Sequence, residues 1–105
     1  MLPREAWVLM GLRFEWSREK ATPNLRKHRV SVDEASTVFH DPLACIFDDE
    51  DHSEEEPREI IIGHSIVGRL LVISFRERLP GVIRIISARV ATRKERDDYE
   101  ENRKV

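Results

Sequence analysis

The chain begins its regular pattern near the N-terminus with an alternation of apolar and polar residues. Leu12, Phe14 and Trp16 are apolar, and the charged residues Arg13 and Glu15 lie between them. A period of two residues is typical of a β-strand, because successive side chains of a strand point to opposite faces. The sequence therefore predicts a first strand over this segment.

Two short helices are predicted after this strand. Ser17 stands where a helix N-cap belongs, and the polar segment SREKATPNLRKH starts with it. Pro23 is tolerated only near the first turn of a helix, so the helix is expected to start closer to Pro23 than to Ser17. Ser31 and Glu34 have the spacing of a capping box before a second helix, EASTVF, which Pro42 ends.

The second half of the chain contains short apolar runs that are rich in β-branched residues. The runs are LACIF, REIIIG, RLLVIS and VIRIIS, and the acidic segment DDEDHSEEEP separates the first run from the second. Gly68 and the pair Pro80-Gly81 are turn signals between the later runs, as hairpins require. RLLVIS and VIRIIS are apolar on both faces, which predicts that they are central strands.

A last helix is predicted at the C-terminus, where Thr92 and Glu95 form another capping box and the segment continues to Asn102. The predicted order of elements is β-α-α-β-β-β-β-α. This order indicates a single α+β domain with a mainly antiparallel sheet of four or five strands, two N-terminal helices and one C-terminal helix.

The composition agrees with one small domain, since the chain has 105 residues, of which 40% are hydrophobic and 36% charged. No segment approaches the roughly 20 apolar residues of a membrane helix, and the charged start is not typical of a signal peptide, so a cytoplasmic location is expected. Cys45 is the only cysteine, which excludes an internal disulfide and a cysteine-rich zinc cluster. One interpretation of residues 1–11 is a flexible N-terminal extension, with Met10 as an alternative start to Met1.

The charge is unevenly distributed, although the net charge is only −2. Of the 20 acids and 18 bases, eight acids and one base lie between Asp48 and Glu59, which leaves 12 acids and 17 bases elsewhere. A basic body with an acidic loop fits an anionic ligand, or simply a soluble surface with one acidic loop. The run DDEDH is rich in oxygen ligands but lacks the D-x-D-x-D-G spacing of a calcium loop, so no metal site is expected.

Three segments carry a specific pattern of residues. They are FEWSREKATPNLRKHRVSVDEASTVFHDP, HSEEEPREIIIG and GRLLVISFRERLPGVIRIISARVATRKERDDYE, and the last contains I-R-I-I-S-A-R-x-A-T-x-x-E-R-x-x-Y-E. Over roughly residues 14–101 this pattern resembles the BrnT family, the ribonuclease toxins of BrnT–BrnA type II toxin–antitoxin pairs.

The resemblance implies a RelE-like α+β fold and an endoribonuclease that needs neither a metal nor another cofactor. It implies an RNA substrate and neutralisation by a BrnA-like antitoxin with a ribbon-helix-helix DNA-binding domain. The chain would then reach DNA only through this partner, and no membrane partner is implied.

The chain departs from the family pattern at four positions. Ser17 stands in place of a usual Asp, Val32 in place of an aromatic residue, and Arg76 in place of a common Thr. Arg29 replaces a usual Gly, and a left-handed backbone at this position would cost an arginine about 1 kcal/mol or more. None of these changes removes a candidate catalytic group, and Arg76 adds a cation that can contact phosphate.

Four arginines are candidates for one phosphate-binding site. Arg84 lies on a predicted central strand and Arg89 at its end, directly before a helix N-terminus. Arg78 precedes a turn and Arg58 starts a neighbouring strand, so an antiparallel sheet can bring them together. Planar guanidinium groups keep their charge and can hold the transition state of RNA cleavage. Alternatively, Arg84 and Arg89 pair with glutamates and only stabilise the fold. The glutamates in question are Glu15, Glu77 and Glu95.

The acid–base group is less well defined by the sequence. Lys27 and His28 close the first predicted helix, whose dipole favours a protonated imidazole that could donate to the leaving 5′-oxygen. His28 could equally be a C-cap residue. Further candidates are His52 and His64, whereas His40 is interpreted as the end of a helix. Glu56 or Glu77 could supply the base. The predicted catalytic residues are therefore Lys27, His28, Arg58, Arg78 and Arg84, and the predicted substrate-binding residues are Arg76, Arg89 and Glu77.

Two functions are compatible with the sequence. The first is an RNA-cleaving toxin whose active surface an antitoxin blocks. The second is a non-enzymatic binding module, or a degenerate toxin, that acts as a co-regulator with a DNA-binding partner. An open cleft with several arginines favours the first, and arginines that are all occupied by carboxylates favour the second.

Overall fold

The computed structural model of the chain describes residues 4–9, 11–50 and 57–102. The strands are β1 (Arg4–Leu9), β2 (Leu12–Ser17), β3 (Cys45–Asp48), β4 (Glu59–His64), β5 (Leu70–Leu79) and β6 (Val82–Val90). They form one sheet of six strands in the order β1-β2-β6-β5-β4-β3. The two longest strands, β5 and β6, therefore lie at its centre, as the sequence predicts.

The sheet is mixed, because β2 pairs in parallel with β6 while the other four neighbouring pairs are antiparallel. A parallel pair needs a long connection, and here two helices and three strands lie between β2 and β6 in the chain. The predicted α+β class is confirmed, but the sequence does not predict the parallel pair.

The N-terminal segment contributes a strand to the sheet. β1 pairs with β2 from Arg4 opposite Ser17 to Leu9 opposite Leu12. Part of the segment interpreted as a flexible extension is therefore β-structure, and it adds a sixth strand to the four or five predicted. Met1 and Met10, the two alternative starts, lie outside the described residues.

Three helices accompany the sheet. They are α1 (Arg18–His28), α2 (Val32–Thr37) and α3 (Arg93–Asn102), and a 3₁₀ turn (Val38–His40) extends α2. The prediction that the first helix starts closer to Pro23 is wrong, because α1 begins at Arg18 and contains Pro23. Pro23 cannot bond the carbonyl of Glu19, but both residues are exposed, so water can satisfy this carbonyl. None of the described helices is long and apolar enough to span a membrane.

The two predicted capping boxes differ in the structure. At the start of α3 the box is complete: the Glu95 amide donates to Thr92 Oγ1 at 3.2 Å, and the Thr92 amide donates to Glu95 Oε1 at 2.8 Å. At α2 only half of it forms, because the Glu34 amide donates to Ser31 Oγ at 3.0 Å while the Glu34 carboxylate accepts hydrogen bonds from Arg69 instead.

Arg29 ends α1 in the left-handed conformation, with φ 59° and ψ 30°. Its amide donates to the Leu25 carbonyl at 2.8 Å, and its own carbonyl accepts a hydrogen bond from Arg69 Nη2 at 2.9 Å. The backbone therefore has the conformation in which arginine is strained and glycine is not.

One face of the sheet, called the α1–α2 face, carries the larger core. Its buried residues are Phe14, Val30, Ala35, Val38, Ile61, Leu71, Ile73, Phe75, Ile83, Ile85 and Ala88. Asn24 of α1 ties the helix to β6, because its Nδ2 donates to the Ala88 carbonyl at 2.9 Å and its Oδ1 accepts from the Ala88 amide at 3.1 Å.

The opposite face, called the α3 face, is covered only in part. Ile62, Leu70 and Val72 are buried there with Tyr99 of α3. The Tyr99 hydroxyl donates to the Leu43 carbonyl at 3.1 Å, which fixes α3 near the segment that precedes β3. The remainder of this face on β5 and β6 carries polar side chains, among them the predicted arginines of these two strands.

Candidate active site

Side chains of β5 and β6 alternate between the two faces, and most of the polar ones lie on the α3 face. Ile83, Ile85 and Ala88 are buried in the core of the α1–α2 face, so the intervening residues point the other way. The cross-strand pairs on the α3 face are Arg76 with Arg84, Ser74 with Ser87, and Val72 with Arg89.

An irregularity in β6 places Arg84 and Arg89 on the same face. Ser87 lies opposite Ser74, but Ile85 lies opposite Phe75, which leaves Ile86 as an extra residue in β6. In a regular strand two residues five positions apart face opposite sides, and one inserted residue reverses this. The bulge at Ile86 is therefore what brings both arginines to the α3 face.

A cavity of about 330 Å³ opens on the α3 face. Its lining residues are Asp49, Arg58, Ile60, Val72, Ser74, Ser87 and Arg89. Ser74 and Ser87 form one cross-strand pair and Val72 and Arg89 the next, so the strands supply the floor. The cavity thus combines two guanidinium groups, two hydroxyl groups and one carboxylate, a set that can bind an anion and accept a proton.

Arg58 is held at the cavity by its backbone. Its carbonyl accepts a hydrogen bond from the Asp49 amide at 2.9 Å, which joins the ends of the two segments that flank the acidic run. Its Nε is buried and has no hydrogen-bond partner within the described part of the chain. No carboxylate forms an ion pair with this guanidinium among residues 11–50 and 57–102, so its charge is available to a ligand in the cavity.

Arg89 lines the same cavity but is also paired. Its guanidinium donates two hydrogen bonds to the Glu95 carboxylate, at 2.7 and 2.8 Å. These bonds, assisted by the bond from Thr92, lower the pKa of Glu95 to about 2. Arg89 therefore has both features: it forms an ion pair that stabilises the start of α3, and it lines the cavity.

Arg78 pairs with Glu15 rather than entering the cavity. Its Nε and Nη2 donate to the two carboxylate oxygens of Glu15, at 2.9 and 3.0 Å, and Glu15 is buried. The Glu15 carboxylate raises the pKa of Arg78. Two of the predicted arginines thus have a glutamate partner, with Glu15 serving Arg78 and Glu95 serving Arg89.

Arg84 and Arg76 lie side by side on the α3 face, next to the cavity. Arg84 is opposite Arg76 on one side and Glu15 on the other, and it forms no ion pair among the described residues. Glu77 lies opposite Ile83, whose side chain belongs to the α1–α2 face, and its carboxylate accepts a hydrogen bond from the Gly81 amide at 3.0 Å. The structure thus places Arg84 and Arg76 on the same face as Arg89, two cross-strand pairs away from it, and it places the Glu77 carboxylate at the turn to β6.

Lys27 and His28 are in the last turn of α1, which packs on the α1–α2 face. The structure therefore does not bring them to the cavity, because the sheet lies between. His64 is exposed and its ring contacts Tyr99, with 5.7 Å between ring centroids. The Nε2 atom of His40 is buried and has no hydrogen-bond partner in the described part of the chain. His52 and Glu56 lie outside the described residues.

Three polar residues of the cavity are absent from the predicted site residues: Asp49, Ser74 and Ser87. Asp49 is one of eight acids between Asp48 and Glu59, and nothing in this run distinguishes it. It is nevertheless buried, with 9% of its surface exposed. Counting every second residue from Val72 predicts that Ser74 lies on this face. Ser87 follows the bulge at Ile86, which changes the alternation, so the sequence does not predict the face on which Ser87 lies.

No group of three or more histidine, cysteine or acidic side chains that could hold a metal ion occurs in residues 11–50 and 57–102. The acidic run between Asp51 and Glu56 is not part of that range. The donor set of the cavity, with two guanidinium groups and a single carboxylate, is suited to an anion rather than to a cation.

Comparison with protein families gives a match over most of the chain. The model of a family described as the ribonuclease toxin BrnT of type II toxin–antitoxin systems matches residues 16–95, which contain every residue that lines the cavity. No curated protein matches the chain. The match extends over most of the 105 residues, and it contains the central strands β5 and β6 and the first turn of α3. The chain belongs to the BrnT family of ribonuclease toxins of type II toxin–antitoxin systems.

Proposed function

We propose that the protein is an endoribonuclease that cuts RNA at the cavity of the α3 face without a metal ion. The observation that carries this proposal is the meeting of Arg58 and Arg89 around one open cavity, above the hydroxyl groups of Ser74 and Ser87. A phosphodiester is an anion whose two free oxygens match the planar donors of a guanidinium group. The cavity therefore supplies the charge that the family's reaction needs.

Arg58 is proposed as the main cation of the reaction. As the phosphorus is attacked, a further negative charge develops on its oxygens, and donors fixed in advance stabilise this charge. The Arg58 guanidinium is at the cavity and has no carboxylate competitor in the described residues. Arg89 shares its charge with Glu95, so its contribution to the transition state is smaller.

Asp49 is proposed to accept the proton of the 2′-hydroxyl group, since it is the carboxylate that lines the cavity. The 2′-oxygen attacks the phosphorus, its proton passes to Asp49, and the bond from phosphorus to the 5′-oxygen breaks as that oxygen takes a proton from water. The products are a 2′,3′-cyclic phosphate end and a 5′-hydroxyl end. Asp49 then releases its proton to solvent.

Arg84 and Arg76 are proposed to bind RNA beside the cleavage site. They form the cross-strand pair next to Ser74 and Ser87 on the same face. Cations in such a row contact phosphates along a single strand and place the scissile bond over the cavity. Arg78 is assigned to the ion pair with Glu15 in this proposal.

The remaining predictions depend on the family and stay proposals. They are a RelE-like fold, a ribbon-helix-helix antitoxin of the BrnA type that covers the arginines, contact with DNA only through this antitoxin, and a cytoplasmic location. Lys27 and His28 lie behind the sheet, so a role for them requires an RNA strand that also passes α1.

The test uses the purified protein and a long single-stranded RNA, with EDTA or with magnesium. Cleavage in EDTA that leaves 5′-hydroxyl and 2′,3′-cyclic phosphate ends is expected. Arg58→Ala should reduce the rate by about 10²–10³-fold, as removal of one transition-state donor does. Arg26→Ala, on the exposed side of α1, is the matched control and should cleave like the parent. Equal rates for both variants would remove Arg58 from the site.

The alternative of a non-enzymatic binding module is favoured by one observation, the pairing of Arg78 and Arg89 with glutamates. Protein that binds its antitoxin but leaves RNA intact, with EDTA and with magnesium alike, would establish this alternative. Under this alternative, Arg58→Ala would not change the amount of RNA cleaved, and the variant would remain folded.

A further inference from the structure

A second cavity, of about 260 Å³, lies on the α3 face between α3 and the strands β3 and β4. It is mainly apolar, with Phe47, Ile60, Ile62, Val72 and Tyr99 in its lining. The first cavity, with its guanidinium groups, is mainly polar by contrast. A ligand that fits both must be charged at one end and flat or apolar at the other.

The two cavities are adjacent. Both are lined by Ile60, Val72 and Arg89, so the Arg89 side chain forms their common border. A phosphate held by Arg58 and Arg89 therefore has the apolar cavity next to it. In single-stranded RNA the group next to a phosphate is a nucleoside, whose base is a flat aromatic ring that can be turned away from its neighbours.

Phe47 has the position of a stacking surface for such a base. It lies opposite Ile60 in the pairing of β3 with β4, and so it faces the cavity, while its neighbour Ile46 lies opposite Ile61 of the α1–α2 core. Half of the Phe47 surface, 51%, is exposed, although phenyl groups are usually buried. RNA-binding proteins use exposed aromatic side chains to stack bases.

The rim of the cavity on α3 offers polar groups to the edge of a base. Asp98 and Asn102 line it and are one helical turn apart. The Asp98 carboxylate is 67% exposed and lies 3.5 Å from Lys94 Nζ, an exposed pair that contributes little, so its oxygens can accept other hydrogen bonds. Carboxylate oxygens accept from the amino groups of bases, which uracil lacks.

We propose that this second cavity binds one nucleobase of the RNA next to the scissile phosphate, with Phe47 stacking on the ring and Asp98 accepting from an amino group of the base. The proposal rests on the proposed function, because it places the neighbouring phosphate in the cavity of Arg58. It assigns a preference for adenine, guanine or cytosine over uracil at this position.

The experiment maps cleavage sites on one long RNA of mixed sequence, with the full chain and with single variants. Phe47→Ala should lower the rate at the preferred sites by roughly 5- to 100-fold, the effect of losing one base–aromatic stack. Asp98→Ala should reduce the discrimination against uracil at the mapped position while cutting elsewhere continues. Thermal unfolding of each variant checks that the chain remains folded.

The matched controls are the neighbours of these residues. Ile46→Ala changes an equally exposed residue of β3 that faces away from the cavity, and Asp97→Ala changes an exposed acid of α3 outside its lining. Both should cleave with the parent's rates and sites. If Phe47→Ala and Asp98→Ala also keep the parent's rates and sites, the nucleobase pocket is refuted, while cleavage by the parent protein still upholds the proposed function.

Two further outcomes would overturn the nucleobase proposal. If the parent protein does not cleave RNA, the proposed function fails, and the pocket for the base fails with it. If Phe47→Ala keeps the parent's cleavage sites and rate but escapes inhibition by the antitoxin, the cavity binds a protein segment and the nucleobase proposal is overturned.

Discussion

The side chains on the two faces of the central strands β5 and β6 have different surroundings. On the α1–α2 face Phe14, Leu71 and Ile73 are fully buried and Asn24 bonds the backbone of β6. On the α3 face Arg78 and Arg89 each pair with a glutamate, and Arg58 and Arg89 line an open cavity. Because the side chains of a strand alternate, one pair of strands can stabilise the fold on one side and bind a ligand on the other. Substitutions on the α1–α2 face should therefore affect mainly stability, and substitutions on the α3 face mainly RNA cleavage.

The largest effect on stability is expected from a substitution on the α1–α2 face. Phe14→Ala removes a ring that is 0% exposed and stacks edge-on against Phe39 at 5.2 Å. The free energy of unfolding should fall by about 3–5 kcal/mol, as for other buried phenylalanines, which urea denaturation measures. Phe47→Ala on the α3 face is the control and should cost less than half of this, since Phe47 is already 51% exposed. Equal losses would mean that the faces do not differ in packing.

A substitution on the α3 face should reduce RNA cleavage and leave the stability almost unchanged. Arg84→Ala should reduce RNA cleavage by about 10²-fold, equivalent to about 2.7 kcal/mol of activation free energy, because a guanidinium next to the cleaved phosphate is lost. Its unfolding free energy should stay within about 0.5 kcal/mol of the parent, since Arg84 forms no ion pair within residues 11–50 and 57–102. Arg84→Ala with unchanged cleavage would exclude Arg84 from the site.

A smaller effect links the α3 face to pH. The pKa of Glu95 is lowered from 4.5 to about 2, chiefly by Arg89, so the ionised form stabilises the folded state. This contribution is complete above pH 5 and is lost as the pH falls from 5 towards 2. After allowance for solvent screening, since both side chains are about one-third exposed, it amounts to about 1–2 kcal/mol.

Glu95→Gln isolates this contribution. The difference in unfolding free energy between the parent and this variant should be about 1–2 kcal/mol at pH 7 and should shrink as the pH approaches 2. Unfolding in urea at a series of pH values measures it. A difference that does not change with pH would show that the bonds to Arg89 and Thr92 do not depend on the charge of Glu95.

The smallest predicted effect is a gain of stability at the end of α1. Arg29→Gly should raise the unfolding free energy by about 0.5–1 kcal/mol, because a left-handed backbone with φ 59° strains an arginine. The hydrogen bond to Arg69 uses the backbone carbonyl and is retained. Arg26→Gly, inside the same helix, should lower stability by about 1 kcal/mol. A loss in both variants would refute the strain at Arg29.

Most of the fold follows from local patterns in the sequence. The strands of the second half, the turns at Gly68 and Gly81 and the capping box at Thr92 each depend on a few neighbouring residues. The parallel pairing of β2 with β6 depends on residues about 70 positions apart, such as Phe14 and Ile83, and no local pattern specifies it.

The site is less predictable than the fold. Residue types indicate an anion site, since arginines at strand ends are suited to phosphate. Which arginine meets which glutamate is decided by tertiary contacts, as in the pair of Arg78 with Glu15, 63 positions apart. The position of Asp49 at the cavity is equally hard to predict, because Asp49 differs from the acids around it in burial and not in residue type.

The single extra residue at Ile86 has a consequence for comparing this chain with its relatives. With it, the odd interval between Arg84 and Arg89 puts both on one side of the sheet. Any homologous toxin that shortens this interval by one position must also lose the bulge, or one of its two cations will point into the hydrophobic layer behind the sheet. The number of residues between them is therefore as informative as their identity.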